Sequence, residues 1–126
     1  MGTLDIAQTT STPRINFDPI TDTLKLVGES YPENSFDFYA PVISWLSAVL
    51  KHLTTFTLDI NIAYMNSSST KCTLDLMDVM EEAHSRGVKT AVIWRYDPNN
   101  PRSCELAEEF REEVSFPFEI VTMGSE

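Results

Sequence analysis

The stretch FTLDINIAYMNSSSTKCTLDLMDVMEEAH, residues 56–84, changes its hydrophobic period once and so predicts a strand followed by a helix. Between 56 and 64 every second residue is apolar, which is typical of a strand with one buried face. Between Cys72 and Ala83 the apolar residues recur every three or four positions, which indicates a helix ending near Gly87. Three serines, 67–69, lie where the strand pattern gives way to the helix pattern.

Strand and helix patterns alternate on both sides of this unit. The predicted elements are, in order, strands at 14–17 and 24–27, a helix with apolar positions over 39–53, the strand and helix already described, a strand at 88–96, a helix with apolar positions over 106–114, and a strand at 118–122. Residues 14–27 predict a hairpin around the turn-rich DPITDT. The expected order is therefore β-β-α-β-α-β-α-β.

This order predicts an α/β fold with a mixed, mostly parallel sheet. Strands separated by helices are parallel and are joined by right-handed crossovers. Sheets covered on both faces have nearly continuous apolar strands, whereas every strand here alternates. We therefore expect the helices mainly on one face of the sheet. Pro41 lies off the apolar stripe of the first helix, where it either kinks the helix outward or occupies its first turn.

Length and charge limit the classes of function. A chain of 126 residues suggests a single domain, which we expect over residues 12–126. The polar residues 1–11 before it are expected to form a flexible tail. The net charge of -10 repels nucleic acid and anionic membrane surfaces, because phosphate binding needs clustered Lys and Arg. We therefore expect protein partners, with no nucleic acid and no membrane.

The remaining composition argues against a bound cofactor or metal. Cys72 and Cys104 are far apart and have no CxxC context, so neither a zinc site nor a disulfide framework is implied. Only four glycines are present and none forms a phosphate-binding loop. The N-terminal sequence has no secretory pattern, and no apolar run approaches the roughly 20 residues of a membrane span. We expect a cytoplasmic protein.

The serines allow three interpretations. The simplest is helix capping, since serine is a preferred N-cap residue. A second is phosphorylation: no acid precedes Asp75 in the helix and Lys71 is expected in its first turn, so a phosphate would meet free amides and a cation. The third is a catalytic nucleophile, which needs a base. His52 and His84 are predicted at the C-terminal ends of helices, at the edge of the sheet opposite the serines. We expect no catalytic residues.

Six short motifs resemble the SiaC family of bacterial regulatory phosphoproteins. They occur in order along nearly the whole chain: SYPENS (30–35), YMNSSS (64–69), EEAH (81–84), WRYD (94–97), AEEF (107–110) and SFPF (115–118). The fold of that family is STAS-like, as in anti-sigma factor antagonists, which agrees with the order of elements above.

The resemblance implies a non-catalytic partner-switching regulator. In the family, a kinase of the histidine-kinase-like ATPase type phosphorylates the residue after the asparagine of the second motif, and a PP2C-type phosphatase removes the phosphate. The unphosphorylated protein binds and activates a diguanylate cyclase, which affects c-di-GMP signalling, aggregation and biofilm formation. Carried onto this sequence, the resemblance implies that the acceptor is Ser67, with Ser68 and Ser69 as alternates.

The loops 30–35, 66–69 and 97–103 should gather at the carboxyl ends of the parallel strands, where α/β proteins usually place their sites. We expect this edge to bind the partner through Tyr31, Pro32, Glu33, Asn34, Asn66, Lys71 and Asp97. The alternative is a small anionic-ligand-binding module, or a minor enzyme, that uses the same helix N-terminus.

Overall fold

The computed structural model describes residues 4–123. Its elements are β1 (Asp5–Ile6), β2 (Arg14–Asp18), β3 (Thr23–Ser30), α1 (Ser35–Val49), β4 (Thr55–Met65), α2 (Ser67–Ser85), β5 (Lys89–Tyr96), α3 (Pro101–Glu112) and β6 (Phe118–Thr122). Residues 1–3 of the expected tail and 124–126 of the expected domain lie outside the described residues.

The six strands form one sheet in the order in which they occur along the chain. The pairs β1–β2 and β2–β3 are antiparallel, and the pairs β3–β4, β4–β5 and β5–β6 are parallel. Because the strand order advances in one direction, right-handed crossovers bring α1, α2 and α3 to the same face. The expected α/β fold with a mixed, mostly parallel sheet is confirmed.

The alternating strands put one set of side chains under the helices. On β4 the apolar residues Phe56, Leu58 and Ile60 are at most 1% exposed, and they pack with apolar residues of all three helices. Between them, Asp59 and its neighbours on the other face are partly exposed. Asp59 accepts hydrogen bonds from both Nε and Nη2 of Arg95, at 3.0 and 3.1 Å, so an ion pair ties β4 to β5 on the open face.

Two details of the fold concern the sequence predictions: one strand was not predicted, and the position of Pro41 had been left open. Strand β1 lies inside the segment expected to be a tail, and it pairs with β2 through Ile6 and Ile15. A strand of two residues is too short to show a period, which is why the pattern did not reveal it. Pro41 lies in the interior of α1 and is exposed, so the first-turn alternative is wrong.

The segment between β1 and β2, residues 7–13, forms an N-terminal arm that reaches the carboxyl edge of the sheet. The Tyr31 amide donates to the Ser11 carbonyl at 2.7 Å, and Gly28, with φ of 131°, lets the Gln8 side chain approach the backbone closely. A Cβ at position 28 would lie 2.8 Å from Gln8 Nε2. The arm therefore supports the loop that begins at Tyr31. Between residues 4 and 123, none of the helices combines the length and the hydropathy that a membrane span requires.

Candidate functional site

The three loops predicted to gather at the carboxyl edge do so. The Asn66 amide donates to the Ser30 carbonyl at 2.9 Å, which joins the end of β4 to the end of β3. The Asn100 side-chain amide donates to the Ala63 carbonyl at 2.8 Å, which brings the start of α3 to the same place. The loop after β3, the start of α2 and the start of α3 therefore form one surface.

The cap of α2 is Asn66, and none of the three serines serves as the N-cap. Asn66 has an extended backbone, and its Oδ1 accepts a hydrogen bond from the Ser69 amide at 2.9 Å. Asparagine is as strong an N-cap residue as serine, but the sequence prediction considered only the serines as caps. With the cap at Asn66, all three serines lie within the first turn of the helix, and Lys71 lies beyond that turn instead of in it as expected.

Two of the three serines, Ser68 and Ser69, belong to a buried network of hydrogen-bonded hydroxyl groups. Ser69 is completely buried and its Oγ accepts from Ser30 Oγ at 2.8 Å and lies 3.0 Å from Ser35 Oγ. Ser68 Oγ donates to Ser35 Oγ at 2.8 Å. Ser30 Oγ also lies 2.7 Å from the Tyr39 hydroxyl, and burial raises the pKa of Tyr39 to about 12, so this phenol stays protonated at neutral pH.

Ser67 differs from both of its neighbours. Its side chain is exposed, and within residues 4–123 its hydroxyl has no hydrogen-bond partner. It lines a cavity of about 340 Å³ whose other walls come from the end of β4 and from α3, with lining residues that include Tyr64, Thr70, Arg102, Glu105 and Glu109. Of the three candidate acceptors, Ser67 is thus the hydroxyl that an enzyme can approach without breaking the buried network.

A pair of exposed aromatic rings lies beside Ser67. The ring centroids of Tyr31 and Tyr64 are 6.0 Å apart, and the two side chains are 37% and 56% exposed. Tyr64 was expected on the buried face of β4, and this expectation is wrong. Gly28 of β3 pairs with Ile62 of β4, and Ser30 pairs with Met65, so β4 has one extra residue between these two pairs. This bulge interrupts the alternation and turns Tyr64 outward.

The other residues of the predicted partner-binding edge lie around Ser67 and the Tyr31–Tyr64 pair. Glu33, Asn34, Lys71 and Asp97 are exposed, and Pro32 is partly buried. Asn34 and Asp97 have local structural roles as well: Asn34 Oδ1 accepts from the Asp37 amide at the start of α1, and Asp97 Oδ1 accepts from the Asn99 amide. The sequence prediction did not name Tyr64 or Arg102 among the partner-binding residues, although Arg102 lies in the 97–103 segment expected at this edge.

The histidines lie far from Ser67 along the helices. His84 is in the last turn of α2, and His52 follows the end of α1. The Glu81 carboxylate, which shares the EEAH motif with His84, accepts hydrogen bonds from the Ser115 amide at 2.9 Å and from the Ser115 hydroxyl. These bonds lower the pKa of Glu81. The EEAH and SFPF motifs are therefore joined in a structural contact at the other end of α2.

Comparisons with known proteins agree with one another. The family model for SiaC family regulatory phosphoproteins matches residues 6–123. An uncharacterised protein of Pseudomonas aeruginosa (strain UCBPP-PA14) is 44% identical over 121 residues, which cover 95% of this chain and 96% of that protein. The crystal structure of apo-SiaC from P. aeruginosa is similar with a TM-score of 0.90 and 43% identity, over 96% of this chain and 99% of that one.

A third similar structure contains a partner. It is the crystal structure of the diguanylate cyclase SiaD in complex with its activator SiaC from P. aeruginosa. The match has a TM-score of 0.89 and 43% identity, and it covers 94% of this chain and 98% of the matched chain.

Proposed function

Because this chain belongs to the SiaC family of regulatory phosphoproteins, we propose that it is a non-catalytic partner-switching regulator of a diguanylate cyclase in the cytoplasm. In this proposal the unphosphorylated protein binds and activates the cyclase and so controls c-di-GMP signalling, aggregation and biofilm formation. The SiaC protein of P. aeruginosa is the activator in a solved complex with the diguanylate cyclase SiaD, and its similarity extends over 94% of this chain.

The second part of the proposal is reversible phosphorylation, and it rests on the accessible hydroxyl of Ser67. We infer that a kinase of the histidine-kinase-like ATPase type phosphorylates Ser67 and that a PP2C-type phosphatase reverses the reaction. The support is the contrast within the first turn of α2: Ser67 is exposed, whereas Ser68 and Ser69 hydrogen-bond to Ser35. Modification of Ser69, which is fully buried, would require the hydroxyl network around it to open.

The same geometry supplies a mechanism for release of the partner. A phosphate adds about -1.5 to -2 charges at neutral pH. On Ser67 it would lie in the cavity that Tyr64 also lines, next to the exposed aromatic pair. A dianion at the centre of an interface costs free energy unless a partner group compensates it. The fold does not depend on the Ser67 hydroxyl, because Asn66 caps the helix, so phosphorylation changes the surface and leaves the domain folded.

Exposed aromatic residues at the centre of this edge suit a protein partner. Tyrosines combine a large apolar area with few rotatable bonds, and they are enriched among residues that dominate binding energy. Tyr31, Tyr64 and Phe36 are three of the large apolar side chains that remain exposed among the described residues. We infer that they contact the cyclase, with the 31–34 loop, Asn66, Lys71 and Asp97 around them.

The alternative function, binding of a small anionic ligand, has less support. The cavity beside Ser67 has a volume of about 340 Å³, near the lower end for ligand sites. Glu105 and Glu109 contribute two carboxylates to its wall against the single guanidinium of Arg102, among the described lining residues. A free anion would therefore meet net negative charge there.

One experiment separates the two functions. The purified protein is incubated with its kinase and ATP, and its intact mass is measured beside a binding screen of small phosphates and carboxylates. The proposed function predicts a mass increase of one phosphate and no saturable binding of the free anions. Saturable anion binding without any mass increase would favour the alternative.

A further inference from the structure

Helix α3 forms the wall of the cavity that faces Ser67. Arg102, Glu105 and Glu109 line the cavity from α3, while Ser67 and Thr70 line it from α2. The Asn100 side chain fixes this arrangement, because its amide donates to the Ala63 carbonyl at 2.8 Å. The first turn of α3 is therefore held against the end of β4, next to the residue that we propose as the phosphoacceptor.

Arg102 is an unusual group in this position. The chain has 19 acidic and 9 basic residues, yet a cation lies in the first turn of α3, opposite the accessible serine. The Arg102 side chain is exposed and takes part in none of the ion pairs found between residues 4 and 123. Its guanidinium is therefore available, although Glu105 is only three positions away on the same helix.

We propose that Arg102 binds the phosphoryl group of phosphorylated Ser67, as an intramolecular phosphoserine receptor; this inference rests on the proposed function. A guanidinium presents two parallel N–H donors, which match two phosphate oxygens better than the single ammonium of a lysine does. The charged groups near position 67 are Arg102, Glu105 and Glu109 on the α3 wall of the cavity and Lys71 on α2. The two carboxylates repel a free anion, whereas a phosphate on Ser67 is held in the cavity by its covalent bond. Lys71 is four positions after Ser67, whereas Arg102 is held across the cavity by the fold.

Binding of the phosphate by Arg102 would change the partner-binding surface of this protein in two ways. The phosphate introduces negative charge beside Tyr64, and the Arg102 guanidinium, which is exposed in the unmodified protein, becomes occupied. A carboxylate of the partner that pairs with Arg102 in the unmodified state would then compete with the phosphate for the same donors. The switch would thus act through competition for one guanidinium as well as through repulsion.

The test uses phosphoserine placed at position 67 by genetic encoding, so that no kinase is needed. The second pKa of the phosphate is measured by ³¹P NMR titration in the parent, in Arg102→Gln, in Lys71→Gln and in Arg111→Gln. A nearby cation stabilises the dianion and lowers this pKa. Removing the receptor is therefore expected to raise it, by about 0.3 to 1 unit for an exposed neighbour. Arg111 is the matched control, since it lies in the last turn of the same helix.

The result expected is a higher phosphate pKa in Arg102→Gln and an unchanged value in Arg111→Gln. An unchanged value in Arg102→Gln would overturn the proposal, as would a rise confined to Lys71→Gln or an equal rise in both arginine variants. Equal thermal midpoints of the four proteins establish that all are folded. Failure here leaves the proposed function standing, because the absence of phosphate from Ser67 in kinase-treated protein is what would overturn that function.

Discussion

The Ser30 hydroxyl donates a hydrogen bond to Ser69 Oγ at 2.8 Å, in the interior of the protein. The two residues are 39 positions apart, and their contact joins the end of β3 to the first turn of α2. Through Ser35 the same network reaches the first turn of α1 and the Ser68 hydroxyl. Two of the three adjacent serines are therefore structural, and Ser67 is left at the surface.

Replacing Ser69 should destabilise the fold, whereas replacing Ser67 should not. Ser69→Ala leaves the buried Ser30 and Ser35 hydroxyls without a shared partner, which costs about 1–3 kcal/mol of the free energy of unfolding. Ser67→Ala, the matched control two positions away in the same helical turn, removes an exposed hydroxyl and should change that free energy by less than about 0.5 kcal/mol. Urea unfolding monitored by circular dichroism measures both. Equal stability of the two variants would contradict a structural role for Ser69.

Asn66→Ala should weaken the start of α2. The substitution removes the acceptor of the Ser69 amide, and the loss of a side-chain N-cap costs about 1 kcal/mol of the free energy of unfolding. Asn66→Asp keeps an oxygen acceptor and puts negative charge near the helix N-terminus, so it should retain most of the stability. Urea midpoints of the two variants give the comparison. A midpoint for Asn66→Asp as low as that for Asn66→Ala would show that capping is not the role of the side chain.

Tyr64→Ala should reduce affinity for the cyclase without unfolding the protein. The ring is 56% exposed and is paired with Tyr31, so its removal affects the surface more than the core. Loss of a central aromatic residue weakens binding by about tenfold or more when it is an anchor. Isothermal titration calorimetry with the purified cyclase measures the change.

The control for Tyr64 is Ile20→Ala. Ile20 is 91% exposed in the turn between β2 and β3, at the opposite edge of the sheet. It tests whether loss of any exposed apolar side chain has the same effect. If both variants bind as the parent does, the aromatic pair is not part of the interface.

Ser67→Ala should abolish phosphorylation by the kinase while the protein remains folded. Ser68 and Ser69 are unsuitable substitutes, because their hydroxyls hydrogen-bond to Ser35 and Ser69 is fully buried. Peptide mapping by mass spectrometry after treatment with kinase and ATP identifies the site. Phosphate on Ser68 or Ser69 in Ser67→Ala, at the level seen in the parent, would show that the acceptor has been assigned to the wrong residue.

Periodicity predicted the fold because its strands and helices are long enough to show their periods. The alternation over 56–62 corresponds to buried residues of β4, and the spacing over 72–83 to the inner face of α2. Strand β1 escaped prediction because two residues show no period. Tyr64 was assigned to the wrong face because a bulge near the end of β4 depends on the register with β3, which no local pattern reports.

The candidate site could be located from sequence but not resolved within it. The order of elements placed the three loops at one edge, and the resemblance pointed to Ser67. The contrast between Ser67 and its neighbours depends on Ser30 and Ser35, which are more than 30 positions away in sequence. The 97–103 segment was expected at this edge, but Arg102 was not singled out within it, because only the packing of α3 against the end of β4 brings this side chain to the cavity.

The most direct test of the switch is the dissociation constant of the cyclase complex, measured for the unmodified protein and for the protein with phosphoserine at position 67. If the phosphate releases the partner, the modified protein should bind at least about tenfold more weakly, which corresponds to 1.4 kcal/mol or more of lost binding free energy. Its far-ultraviolet circular dichroism and thermal midpoint should match those of the unmodified protein. Equal or tighter binding of the phosphorylated protein would contradict the proposed switch.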